Sequence, residues 1–149
     1  MKHLKGFPDL PPVWALAMLL LSWGLSVWFP ILVFPVSYWL AGAFVLAGFA
    51  LIGWAAWFFF EQATPIMPRE KPQTLLIAGP FRINRNPIYT GMLLILAGAA
   101  VAFGSFAGWL PVLAFPIIIT ERFIKGEEDG LRAAFPDEAE RYLRESRRW

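Results

Sequence analysis

Cysteine is absent from the 149 residues, and charge is scarce. Without a thiol there is no disulfide framework, no thiolate metal site and no cysteine nucleophile. Asp, Glu, Lys and Arg make up 16% of the chain, against roughly 25% in a soluble domain. Such a chain lacks the polar surface to cover itself in water, which excludes soluble globular, disordered and coiled-coil readings. Histidine occurs once, at His3, and is assigned no role. No HExxH, GxSxG, GxGxxG or phosphate-loop pattern is present, and no repeat or low-complexity tract. The net charge of +2 is too small to argue for a nucleic-acid partner. What is abundant is apolar: 58% hydrophobic residues and 17% aromatic ones, with a mean hydropathy of +0.54.

The few charges are placed unevenly. None lies between Leu10 and Phe60, and a second charge-free run extends from Asn86 to Thr120. A membrane-crossing helix needs about 20 mostly apolar residues. The first run therefore holds two helices, with Pro30 and Pro35 marking the turn between them. Gly104 and Ser105 offer a turn in the second. These features predict an all-α polytopic membrane protein with spans near 12–29, 36–60, 88–104 and 107–122. Lys2 and Lys5, the loop 61–87 and the tail 123–149 with its preceding Arg122 carry every basic residue. Four crossings put these segments and both termini on one side, which is cytoplasmic by the positive-inside rule. A cleaved signal peptide over 2–27 is the competing reading, disfavoured by the second apolar span that follows at once.

Pro111 and Pro116 in the fourth span free backbone carbonyls, consistent with ordinary helix packing or with a kink beside a cavity. Gly91, Gly98 and Ala102 suit close contact of the third span with a neighbour. In the tail, Leu131, Phe135 and Tyr142 recur as one helical stripe. Pro136 interrupts it, and Asp137 with Glu140 is a capping-box restart. The stripe is expected on the membrane surface or on the loop.

Two places could carry chemistry. Asn86 followed by Pro87 reads as an N-cap and first helical position. Free N–H groups and a positive dipole end would then meet Arg82 and Arg85, favouring an anion there. Tyr89 lies one turn further in. The plainer reading makes Arg82 and Arg85 topology determinants among lipid headgroups. Glu127 and Glu128 form the second place. A carboxylate pair can accept hydrogen bonds from an ammonium group or from ribose hydroxyls, but acidic residues also favour the solvated first turn of a helix.

Spacing alone leaves both places open. The string Leu75-Leu76-Ile77-Ala78-Gly79-Pro80-Phe81-Arg82, then Arg85-Asn86-Pro87-Ile88-Tyr89-Thr90-Gly91, resembles the isoprenylcysteine carboxyl methyltransferase and phospholipid methyltransferase family. A hydrophobic hairpin follows, then Glu121-Arg122-Phe123-Ile124, the Glu127-Glu128 block to Phe135, Arg141-Tyr142 and Arg147-Arg148-Trp149. The likeness runs from about Thr64 to Trp149; the first two spans match only in character. It implies an integral membrane enzyme, in a bacterial-type member of the inner membrane, that binds S-adenosylmethionine between the third and fourth spans and the tail. Glu127 and Glu128 would hold polar groups of the cofactor. Arg85, Asn86 and Tyr89 would line the methyl-transfer region, and Leu76, Ile77 and Gly79 would border the adenosine. Arg148 and Trp149 would cover the pocket. Asn86 stands where histidine is frequent in the family and cannot act as a base at neutral pH. Pro136 replaces a usual glycine, and Ala139 an aromatic, which touches tail packing more than the site.

Methyl transfer requires alignment of nucleophile, methyl and sulfur in a site without water. The expected acceptor is a lipophilic small molecule or membrane lipid bearing a carboxylate of the isoprenylcysteine kind, with Arg85 orienting the anion. N- and S-methylation remain open. So do a four-helix transporter or binding protein, whose expected mark is an ionisable residue within a span, and a nicotinamide-dependent membrane reductase of related fold.

Overall fold

The computed structural model describes residues 8–64, 66 and 73–149. Lys2, His3, Lys5, Arg69 and Lys71 lie outside the described residues. Those described form an all-helical architecture without strands. α1 (Pro11–Trp28) opens on a proline, whose missing N–H costs nothing in a first turn,. α2 (Tyr38–Glu61) is capped by Ser37, whose hydroxyl accepts from the Leu40 N–H at 3.4 Å. A single turn, α3 (Pro80–Ile83), precedes α4 (Pro87–Phe103).

α4 is the central element. Its Leu96, Ala97 and Ala100 pack with Met18 of α1 and with Val112, Phe115 and Ile119 of α5 (Trp109–Ile119). On its other side it meets α2 at near-backbone distance. A Cβ on Gly48 would stand 2.6 Å from the Gly91 carbonyl, and one on Gly98 2.7 Å from the Ala41 carbonyl. Small residues let two helices approach this closely in an apolar medium, where packing rather than water exclusion holds them. The glycines at 91 and 98 thus serve as the sequence predicts.

The two charge-free turns meet each other. Gly104, at φ +68°, ends α4 in the left-handed region that glycine enters without steric cost,. The Phe34 N–H then donates to the Gly104 carbonyl at 3.0 Å, and the Ser105 hydroxyl both accepts from and donates to the Ile31 backbone at 3.2 Å.

The helix that holds α5 does not stop at 122. It begins with a 3-10 turn at Phe106–Gly108, passes through α5, widens into a π-helical turn over Thr120–Ile124 and continues as α6 (Lys125–Ala134). Nothing between 117 and 134 breaks it: Gly126 and Gly130 each cost only about 1 kcal/mol relative to alanine, and the next proline is Pro136. The acidic pair therefore sits on the same rod as the last apolar segment. α7 (Pro136–Glu145) follows directly. The predicted capping box at its start is not made. Glu140 instead accepts from the Arg132 guanidinium at 2.8 Å, clamping α7 to α6.

Among the described residues three helices are long and apolar enough to cross a bilayer: Pro11–Trp28, Tyr38–Glu61 and Phe106–Ala134. α4 is apolar but has 17 residues, about 25 Å at 1.5 Å per residue. Large apolar side chains face outward, with Trp39 93% and Phe60 81% exposed near opposite ends of α2. Water would penalise such a surface, whereas lipid and its interfaces accept it.

Candidate active site

The first turn of α4 and the start of α6 face each other. Tyr89 projects one turn inside α4, and its hydroxyl donates to Glu127 Oε1 at 2.6 Å. Asn86 occupies the N-cap position, as its neighbour Pro87 predicts, but its side chain does not cap. Asn84 Oδ1 accepts from the Asn86 backbone N–H at 3.0 Å, and the Asn86 side-chain amide donates to the Arg148 carbonyl at 2.9 Å.

Glu128 is 6% exposed, and both of its oxygens are engaged. Arg148 grips it through a two-pronged contact, Nε to Oε1 at 2.8 Å and Nη2 to Oε2 at 2.7 Å. Arg85 Nη2 adds a contact at 3.5 Å. Arg85 is itself pinned by donation from Nη1 to the Leu143 carbonyl. Its Nε is buried with no hydrogen-bond partner among the described residues.

The charge-free run ends at Thr120, and Glu127 and Glu128 lie about two turns beyond it,. They titrate in opposite directions. Burial lifts the Glu127 carboxyl above the ordinary carboxylate range, against the opposing Tyr89 hydrogen bond, and the neighbouring Glu128 charge adds to the lift. Burial would lift Glu128 as well, but the hydrogen bonds and charge of Arg148, with the charges of Arg85 and Arg132, outweigh it and hold Glu128 low. Tyr142 is pushed up to about 12 by burial; its hydroxyl donates to the Phe81 carbonyl at 3.0 Å.

A cavity of about 700 Å³ opens at this corner. Small-molecule sites fall between roughly 300 and 1,000 Å³. Of the residues singled out from sequence, Leu76, Arg85, Asn86, Tyr89, Glu127 and Glu128 line it. Ile77, Gly79, Arg148 and Trp149 are not in its wall. Gly79 makes the turn before α3 at φ +57°, where a Cβ would strike the Phe58 ring at 2.3 Å. Arg148 stands behind Glu128, and Trp149 packs along the π-turn, donating to Thr120 Oγ1 at 3.3 Å. Arg82 is exposed.

Sequence reasoning passed over Leu10, Pro11 and Pro12 at the start of α1, Phe59 at the end of α2, Phe81, and Met92, all of which line the cavity. Phe81 lies within the quoted Gly79-Pro80-Phe81-Arg82 string, which was its available signal. Tyr142 and Leu131 also line it, so the tail stripe packs onto the site.

Comparison with known proteins decides the family. Residues 36–138 match the family model for phospholipid methyltransferase. The chain belongs to the phospholipid methyltransferase family. That match takes in Arg85, Asn86, Tyr89, Glu127 and Glu128 and leaves out Arg147-Arg148-Trp149. An uncharacterized protein of Haemophilus influenzae is 37% identical over 62 residues, which cover 42% of this chain and 98% of that relative. No solved structure matches. Phospholipid methyltransferases are membrane proteins that generally take their methyl group from S-adenosylmethionine, which fits the apolar helices seen here. Membership separates the chain from the transporter and reductase readings.

Tyr89 opposes the lift that burial gives to Glu127. Its hydroxyl favours the carboxylate, so Tyr89→Phe raises the Glu127 pKa further. Any bound cation that needs ionised Glu127 is then lost at a higher pH as the solution is acidified. S-adenosylhomocysteine affinity measured against pH in detergent is expected to begin its acid-side fall earlier in Tyr89→Phe than in the wild type. Superimposable profiles would remove Tyr89 from this role.

Proposed function

We propose that this phospholipid methyltransferase family member transfers a methyl group from S-adenosylmethionine to a lipophilic small-molecule acceptor at the cytoplasmic face of the membrane, with a carboxylate as the favoured acceptor group. One observation carries the reading: the Tyr89–Glu127 pair faces a cavity whose other walls are largely apolar.

The residues present suit the cofactor. Glu127 offers a carboxylate to an ammonium group or to ribose hydroxyls. Asn86 and Leu76 line the same cavity, and Phe59, Phe81 and Leu131 offer flat or aliphatic surface to a purine. S-adenosylmethionine supplies an electrophilic methyl group on a positively charged sulfur. The chain's share is to hold, orient and exclude water. Arg85 offers the buried Nε donor, which matches a carboxylate acceptor better than an amine,. Among the described residues no histidine lines the cavity, and a carboxylate needs no base to release a proton from it. An anion and a cation that react to neutral products spread their charge on the way, so a dry site favours the step once both are bound.

The helix arrangement supports a lateral route for the acceptor. α1 and α2 pack separately against α4. The start of α1, at Leu10 to Pro12, and the end of α2, at Phe59, form cavity walls above Ile88 and Met92 of α4. A lipid tail lying between α1 and α2 would reach the corner without crossing water.

The test is transfer of labelled methyl from S-adenosylmethionine to an extract of native membranes by the purified protein. Label is expected in organic-soluble product and is expected to be released as methanol by mild base, as for an ester. Base-stable label would move the assignment to nitrogen or sulfur, and no Glu127-dependent transfer would overturn the reading.

The same proposal includes four crossings with both termini cytoplasmic. The absence of cysteine makes this simple to check with single-cysteine variants. On intact cells a membrane-impermeant maleimide is expected to label Val33→Cys, in the exposed turn before α2, and to leave Arg144→Cys unlabelled until the cells are opened. Labelling of both from outside would contradict it.

A further inference from the structure

The segment Arg147-Arg148-Trp149 lies outside the cavity wall and outside the family match, yet it fastens to Asn84, Arg85, Asn86, Glu128 and Thr120. The Arg147 carbonyl accepts from the Arg85 N–H at 2.8 Å, and the segment pairs with Asn84 as a single parallel bridge. The Arg148 carbonyl accepts from the Asn86 amide at 2.9 Å. The Arg148 guanidinium takes both oxygens of Glu128, and Trp149 anchors on Thr120 in the π-turn.

We infer that this segment is a brace that sets the methyl-donor corner, with Arg148 a positioning residue acting through Glu128 on Arg85. The inference rests on the reading of the cavity as the S-adenosylmethionine site. The two adjacent acids then divide the work. Glu127 faces Tyr89 and the cavity and presents the carboxylate that a ligand can use. Glu128 is held from behind by Arg148 and in turn holds Arg85, at 8% side-chain exposure beside 12% for Arg85. Glu128 and the Leu143 carbonyl each hold one Arg85 terminal nitrogen, and its buried Nε has no hydrogen-bond partner among the described residues.

Other ion pairs of the molecule show that this is not general fastening. Arg122 pairs with Asp9 at 3.0 Å and stacks on Trp14, and Arg132 pairs with Asp129 and Glu140. None of those partners lines the cavity. The Arg148 bridge alone among the described ion pairs, together with the Arg85 contact it supports, ends on cavity residues. A two-pronged guanidinium–carboxylate contact also fixes direction, which a lysine cannot do.

Removal of Arg148 has a pH signature. The charged groups facing Glu128 are Arg148 from the segment, Arg85 from the loop before α4, and Glu127 and Arg132 from α6 itself. Without Arg148, only the charges of Arg85 and Arg132 oppose burial, so the Glu128 carboxyl moves up, takes up a proton at a higher pH than in the wild type, and loosens its hold on Arg85. Affinity at the corner therefore falls as pH falls, over a range in which wild-type Glu128 stays ionised.

The experiment is calorimetric titration of S-adenosylhomocysteine into the detergent-solubilised full chain at several pH values. Arg148→Ala is expected to bind at least about tenfold more weakly at mildly acidic pH and to recover part of that loss at higher pH, relative to the wild-type profile. Arg148→Lys, which keeps the charge without the fork, is expected to lie between the two. In a Glu128→Gln background, Arg148→Ala is expected to add no further loss, while Arg122→Ala keeps wild-type affinity. Should Arg148→Ala fail to fold, the lysine variant decides. Wild-type affinity and pH profile in both Arg148 variants would overturn the brace while leaving the cofactor site standing; no binding to the wild type would strike the site itself.

Discussion

Glu127→Ala is expected to lower the affinity for S-adenosylhomocysteine at least about tenfold, or about 1.4 kcal/mol, and to lower methyl transfer with it. The carboxylate is half-buried, receives the Tyr89 hydroxyl and faces the cavity. Alanine removes both the charge and the acceptor. Glu127→Gln separates the two: it keeps an acceptor for Tyr89 but cannot pair with an ammonium group. A glutamine variant as weak as alanine identifies a charge contact, and one close to the wild type identifies a hydroxyl contact such as ribose. Glu128→Ala is expected to be weakened at least about tenfold as well, by the different route of releasing Arg85. Wild-type affinity in Glu127→Ala, shown to be folded, would remove this residue from the site.

The second large effect concerns the packing that carries the site. Gly91→Val is expected to destabilise the folded protein severely. A Cβ at Gly91 would stand 2.7 Å from the Gly48 carbonyl and 2.5 Å from Ile52 Cγ1. Backbone carbonyls cannot swing aside as a side chain can. Overpacking usually costs about 1–3 kcal/mol, and here relief requires α2 to move off α4. Tyr89 lies only two residues before Gly91, so the shift reaches the cavity. Gly53→Ala is the matched comparison on α2, since a Cβ there meets nothing within 4 Å. That change is expected to be neutral or to stabilise by up to about 1 kcal/mol through helix propensity. Thermal unfolding in one detergent checks both, and equal melting temperatures would show that the α2–α4 contact is not as tight as described.

How far the sequence spoke depended on whether a signal was local. Long charge-free runs report a solvent, so α1 and α2 were legible to within two residues or so. Asn86-Pro87 was legible because proline is favoured at a first helical position; α4 begins at Pro87. The Gly104-Ser105 turn was legible for the same kind of reason. The continuation of α5 into α6 was not, because a π-turn leaves no compositional mark and the shift from apolar to charged residues resembled an ending. The Asp137 and Glu140 motif misled because a capping box competes with tertiary ion pairs, and Arg132 was within reach of Glu140.

The site followed the same division. Tyr89 and Glu127 are 38 residues apart, and no spacing rule brings them together; local chemistry singled out each, and family resemblance joined them in one site. Glu128 and Arg148 were each singled out, but not as partners. Asn84 is 6% exposed and paired to Arg147, a contact made only when the chain returns to the corner. Phe81 could have been found from the Gly79-Pro80-Phe81-Arg82 string that holds it, but Phe59 could not be told from the many other aromatics, since aromatic residues are 17% of the chain. Which of them face a cavity rather than lipid is decided by how α2 leans on α4.

The central claim is that the methyl donor is held between the first turn of α4 and the start of α6. Hydrogen–deuterium exchange of the detergent-solubilised chain, with and without saturating S-adenosylhomocysteine, addresses it directly. Slowed exchange is predicted in peptides covering 85–92 and 126–131, with the turn at 29–37 unchanged. Saturable binding that protects neither segment, or protects only the far turn, would contradict the account.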